Sequence, residues 1–246
     1  MRRMLRWLAI GVAVLVLLVV VGGIIWTRLG PDPTPDAEDV AADADNRQDG
    51  WLAFGSASAD TGIVLYPGAR IDATAYAPVA QALAQQAMAL VVVLDAPLDI
   101  ALLDVDGADP VRDAHPEVDR WIVGGHSLGG VAAARYAGNP DAQIDGLLLW
   151  ASYPAGGDQI PAQMAVTSIA GARDRVLDRD AFDAARGQLP DDAVIVGLAG
   201  VNHAQFGDYG TQAGDGPAAI SNDEARAQIV EASSALVSRV MSGTGR

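Results

Sequence analysis

Few residues in this chain could do chemistry, since it has three His and no Cys, and the best placed of them is a serine. Ser127 lies in Gly125-His126-Ser127-Leu128-Gly129, with Gly124 and Gly130 extending the glycines on either side. A serine hydroxyl is a weak nucleophile until a base removes its proton, and a sharp turn that lifts it clear of its neighbours leaves room for the base and for an electrophile. The glycines suit such a turn, because its central residue takes a strained backbone and a Cβ two positions away would strike the adjoining strand or helix. The chemistry implied is acyl transfer through Ser127. The backbone N–H of Leu128, at the positive end of the helix that follows, is placed to hold an oxyanion.

The base is sought among the histidines, whose imidazole titrates near neutrality. His126 lies inside the turn, where its side chain would point away from the Ser127 hydroxyl. His115 precedes the same strand at its amino end, the wrong edge of a parallel sheet, and suits a surface or helix-end role. His203, in AGVNHAQFGD, follows the last apolar run and so falls at the carboxyl edge, where open parallel sheets gather their ligands. It is the predicted base. Its imidazolium needs an acceptor that also fixes the tautomer, and Asp174, in IAGARDRVLD, lies at the same edge and between Ser127 and His203 in chain order. Asp178 and Asp180 compete for that role. A second oxyanion donor is expected from YPGARID, where Gly68 permits close backbone approach and Pro67 has no N–H to give, so the N–H of Ala69 is the candidate. Arg70 beside it could reach a substrate carboxylate or remain a surface charge.

These side chains need a scaffold that brings distant segments to one rim. GIVLY (62–66), LVVVL (90–94), the apolar run before Ser127, LLLW within 144–150, MAVTSIA (164–170) and AVIVGL (193–198) read as buried strands. Helical spacing predicts helices over 76–90, after Ser127, over 180–186 and over 222–240, with one irregular helix between 98 and 118 and a short edge strand at 51–55. Alternating strands and helices predict an α/β fold with a doubly wound, mostly parallel sheet.

The motifs, taken together, resemble the α/β-hydrolase superfamily and within it the small fold-5 group, which is similar to dienelactone hydrolase. The resemblance rests on YPGARIDATAYAPVAQALA, HPEVDRWIVGGHSLGG, GARD and NHAQFGDYG, in that order. It implies Ser127, Asp174 and His203 as a triad and hydrolysis of an ester or related acyl bond; separately, no Cys and three His argue against a metal site, and no cofactor is expected. Many relatives place His-Gly before the oxyanion donor, where this chain has Pro67-Gly68. Dienelactone hydrolase uses a Cys nucleophile, so its substrate does not carry over. An acyltransferase using the same residues, or a catalytically silent binding module on the same scaffold, remains an alternative. The segment ASYPAGGDQIPAQ (151–163) is short where many lipases insert a lid, which predicts an open site for short or medium acyl chains, with Trp150, Tyr153 and Phe206 as rim candidates.

Composition sets the address. The net charge of −15, with every cation an Arg, excludes a nucleic-acid partner. Residues 8–25 run eighteen positions without a charge between Trp7 and Trp26, after Arg2, Arg3 and Arg6. They predict one membrane-spanning helix within a 1–29 anchor that leaves the catalytic domain on the extracytoplasmic side; a cleaved signal peptide is the competing reading. Residues 30–50, Pro-rich and acidic, read as a solvated linker, and 51–246 as the folded domain.

Overall fold

A computed structural model describes Val12, Gly22, Gly23, residues 30–44 and residues 50–243. The predicted membrane helix over 8–25 lies otherwise outside the described residues. Among the described residues no helix is long and apolar enough to cross a membrane.

Seven strands form one sheet: β1 (Trp51–Phe54), β2 (Thr61–Tyr66), β3 (Leu90–Leu94), β4 (Arg120–His126), β5 (Gly146–Trp150), β6 (Ala165–Gly171) and β7 (Val194–Leu198), in the order β1-β3-β2-β4-β5-β6-β7. β1 pairs antiparallel with β3, and all the other pairs are parallel. Period-2 alternation sorts each strand's side chains between two faces. Ile63, Leu65, Val91, Val93, Ile122 and Leu148 share one core with the helices α2 (Ala77–Ala87) and α6 (Asn222–Ser242). Val64, Val92, Trp121, Val123, Leu147 and Leu149 share the other with α3 (Ala108–Ala114) and α4 (Leu128–Ala137). A short helix, α5 (Arg179–Ala184), follows β6 and packs Phe182 on Ala170 and Leu177. The irregular stretch predicted between 98 and 118 is three short 3-10 turns and α3.

Two expectations change. The predicted linker 30–50 holds an ordered helix, α1 (Pro35–Ala42), whose Ala37 and Ala41 are fully buried. Thr34 caps it by accepting the Ala37 N–H, Pro35 stands in its first turn, and the Thr34 N–H donates to the Asp208 carbonyl at 2.8 Å. Two buried alanines, with Val40 half-buried against the same core, seat it, so a shortage of large apolar residues does not leave this piece in solvent. Trp150 and Phe206, expected at a rim, are fully buried instead, with the Trp150 indole N–H donating to the Ser233 hydroxyl at 3.0 Å.

Candidate active site

β4 runs straight into α4, and Ser127 is the single residue between them, with φ 52° and ψ −122°. Several backbone approaches force the turn. A Cβ at Gly129 would collide with the carbonyl oxygens of Tyr66 and Pro67, one at Gly125 with the backbone of Gly129, and one at Gly130 would lie 2.5 Å from Ser152 Cβ. The turn is pinned from β5 as well: the Ser127 N–H donates to the Trp150 carbonyl at 2.9 Å, and the Ser152 hydroxyl donates to the Ser127 carbonyl at 2.6 Å. Ser127 does not use its side chain to cap α4, and it and Leu128 stay half-buried between the buried His126 and Gly129.

β6 ends at Gly171, where a Cβ would run into the Val201 carbonyl, so the 171–178 and 199–205 segments lie against each other. There Asp174 Oδ2 meets His203 Nδ1 at 2.8 Å, and both side chains are buried. Asp174 Oδ1 accepts the N–H groups of Val176 and Leu177 at 2.9 and 2.8 Å. Burial alone would raise the Asp174 pKa, but the His203 hydrogen bond and charge together with those two N–H groups outweigh it, so the carboxyl titrates below its usual value. With Nδ1 given to Asp174, His203 Nε2 is buried and makes no hydrogen bond with any of the described residues, Ser127 included. Such a contact often tightens only when substrate binds. Asp178 caps α5 by accepting the Ala181 N–H, and Asp180 is exposed, so of the three aspartates considered Asp174 is the one at His203.

Among the described residues neither the Leu128 nor the Ala69 N–H has a hydrogen-bond partner. Leu128 is the first residue of α4, where N–H groups have no partner within the helix. In the other loop the Gly68 N–H donates to the Tyr76 hydroxyl at 2.8 Å and the Arg70 N–H to the Asp99 carbonyl at 2.7 Å, which leaves the Ala69 N–H between two occupied neighbours.

The remaining histidines are structural in setting. His115 ends α3 with Nδ1 at 3.2 Å from Glu117, the helix-end role expected of it. His126 is buried beneath the turn, stacked on Phe206 (centroids 5.5 Å, 15°) and 4.5 Å from the His203 ring. Burial, then the charge His203 can carry, lowers its pKa well below 6.5, so its ring stays neutral. Sequence reasoning missed the residues that fix the His203 loop. Asp215 accepts the N–H groups of Ala204 and Arg175 at 2.9 and 3.2 Å, and Asn202 and Gln205 hydrogen-bond each other. Nothing in a Gly-rich loop marks Asp215, though the parallel register of His126 with Trp150 could have found Ser152. At the opposite edge of the sheet a cavity of about 330 Å³ is lined by Arg120, Asp145 and Gln143, where Arg120 and Asp145 pair at 2.8 Å; no nucleophile faces it.

The sequence profile described as alpha/beta hydrolase family matches residues 62–227, more than half of the chain. The chain belongs to that family. The alpha/beta hydrolase is similar in structure to the monoacylglycerol lipase of Paleococcus ferrophilus (TM-score 0.57, 17% identity, 76% of this chain and 98% of that one). It is similar too to Est2, a thermophilic esterase of the Planctomycetes species Thermogutta terrifontis (0.56, 12%, 77% and 87%) and to a predicted CIB-like hydrolase of Thermoplasma acidophilum (0.56, 15%, 75% and 91%). At these identities the likeness is one of fold. No match to the chain is found among curated proteins. The family and its esterase and lipase neighbours support a hydrolase.

Proposed function

We propose that this alpha/beta hydrolase cleaves small-molecule carboxylic esters through Ser127, His203 and Asp174. The observation that carries the reading is the buried 2.8 Å contact of His203 Nδ1 with Asp174, which leaves Nε2 without a partner among the described residues at the edge where Ser127 interrupts β4 and α4. In the proposed reaction Nε2 takes the Ser127 proton as Oγ bonds to the ester carbonyl carbon. The carbonyl oxygen becomes an oxyanion, held by the Ala69 and Leu128 N–H groups. Its collapse breaks the bond to the alcohol, which leaves with the proton from Nε2. Water then adds to the acyl-enzyme by the same route and releases the acid. Asp174, anionic through the neutral range, holds the imidazolium and keeps the proton on Nδ1 in the resting ring. The half-buried Ser127 and the short connection from β5 to β6 support a preference for short or medium acyl chains. The uncharged run 8–25 supports a single-pass anchor with the enzyme on the extracytoplasmic side.

The test is labelling of the full chain with a fluorophosphonate. Wild type is expected to label and Ser127→Ala not to; an unlabelled wild type, or equal labelling of the variant, would sink the proposal. A series of p-nitrophenyl esters is expected to favour short or medium acyl groups, and an optimum at long chains would overturn the open-site argument.

A further inference from the structure

The catalytic reading leaves one buried polar network unexplained. It joins the 67–71 loop after β2 and the short 3-10 turn of residues 73–76 that follows it to the end of β4, 50 residues beyond Tyr76. Tyr76 is fully buried, and its hydroxyl accepts the Gly68 N–H at 2.8 Å and lies 2.9 Å from His126 Nδ1. Burial raises its pKa far above the usual phenol range, so it keeps its proton. With the oxygen already receiving the Gly68 N–H, that single proton goes to His126 Nδ1; were Nδ1 the donor instead, the buried phenol proton would have no acceptor. His126 is therefore an acceptor at Nδ1, a role its neutrality permits.

Each end of this link bears on the reaction. At one end Gly68 immediately precedes Ala69, in a loop also held by the Arg70 N–H on the Asp99 carbonyl and the Ile71 N–H on the Gly68 carbonyl. Arg70 in this loop holds a positive φ (63°), as do Leu98 and Asp99 (56° and 55°) in the segment that accepts its N–H, so this junction does not rest in a relaxed conformation by itself. At the other end the His126 ring packs on His203 and stacks on Phe206, three residues beyond His203. A Cβ at position 68 would lie 3.0 Å from both His126 Nδ1 and the Tyr76 oxygen, close enough that both would have to shift, so glycine at 68 suits the link.

We propose that Tyr76 is a positioning residue for ester cleavage: its hydroxyl sets the direction of the Ala69 N–H through Gly68 and, through His126, the surface on which His203 rests. It neither touches substrate nor moves a proton in the reaction. The inference rests on the reading of Ser127, Asp174 and His203 as a triad, and its test separates the two.

The measurement compares full-length wild type with Tyr76→Phe, His126→Leu and His126→Asn. The Asn carboxamide oxygen reproduces an acceptor near the Nδ1 position, and Leu does not. For p-nitrophenyl acetate, Tyr76→Phe is expected to lose about 10- to 100-fold in kcat with KM within about twofold. Its affinity for a trifluoromethyl ketone, which forms an oxyanion on the serine, is expected to fall in parallel. A role confined to packing would lower Tm and leave kcat and ketone affinity alone. His126→Leu is expected to behave as Tyr76→Phe, and His126→Asn to recover most of kcat, which keeps the question answerable if Tyr76→Phe fails to fold. Wild-type kcat in Tyr76→Phe, a loss carried wholly by KM, or His126→Asn no better than His126→Leu would each overturn the inference while the triad stands. A wild type that neither hydrolyses the ester nor labels with fluorophosphonate takes both readings down.

Discussion

Around Ser127 the chain is held by excluded volume, and around Asp174 and His203 it is held by satisfied polar groups. On the first side Gly125, Gly129 and Gly130 let backbone lie on backbone, and an added methyl has nowhere to go. On the second side Asp174 fills both oxygens, Asp215 ties the Ala204 and Arg175 N–H groups, and Arg179 donates to the Gly171 carbonyl. The first mode fixes geometry at the cost of tolerance to size. The second fixes charge and tautomer, and tolerates size better than it tolerates loss of an acceptor. A nucleophile needs a position; a base needs a position and a protonation state.

Substitutions on the two sides should therefore fail differently, and the largest contrast is in activity. Asp174→Asn keeps the volume but removes the anion opposite His203 Nδ1, so kcat is expected to fall roughly 10³- to 10⁴-fold with the fold intact. Steady-state kinetics beside circular dichroism checks this, and a loss under tenfold would put the acceptor elsewhere. Gly129→Ala should do the reverse, costing about 3 kcal/mol of stability in urea titration because the new methyl meets the Tyr66 and Pro67 carbonyls. Gly197→Ala, with nothing within 4 Å of its Cβ, should stay within about 0.5 kcal/mol, and equal costs at 129 and 197 would remove the volume argument. Asp215→Ala takes the acceptor from three N–H groups, those of Arg175, Ala204 and Gly216, and should cost about 1–2 kcal/mol, with kcat reduced more than KM is raised.

The last contrast is in pH dependence. His126 has its folded-state pKa depressed below 6.5, so the unfolded chain binds the extra proton first. Its contribution to stability is complete above about pH 6.5 and is lost as the pH falls toward the folded value. Urea midpoints from pH 7 to 5 should therefore drop more steeply in wild type than in His126→Asn, by up to about 1.4 kcal/mol per pH unit. Parallel curves would mean that His126 is not held neutral by its surroundings.

The same contrast explains what could be read in advance. The elbow was legible because volume restrictions leave glycines in the sequence, and the parallel strands were legible because burial on both faces leaves runs such as LVVVL. The contact of His203 with Asp174 was reachable through chain order and sheet edge. Asp215, Asn202 and Tyr76 were not, since a hydrogen bond between loops leaves no spacing behind in either partner. Helix α1 was missed for another reason: Thr34 and Pro35 are ordinary start signals, but its buried face consists of Ala37 and Ala41, too small to register against the acidic residues around them.

The backbone at Ser127, φ 52° and ψ −122°, lies where glycine alone rests without penalty, and such a placement costs about 1–3 kcal/mol. Relief is one substitution away. Under selection for robustness alone, glycine at 127 would win, and a duplicated copy of this chain freed from turnover would be expected to drift there, gaining thermal tolerance as it lost reactivity. The proposed nucleophilic role is what would set a hydroxyl there against that gain.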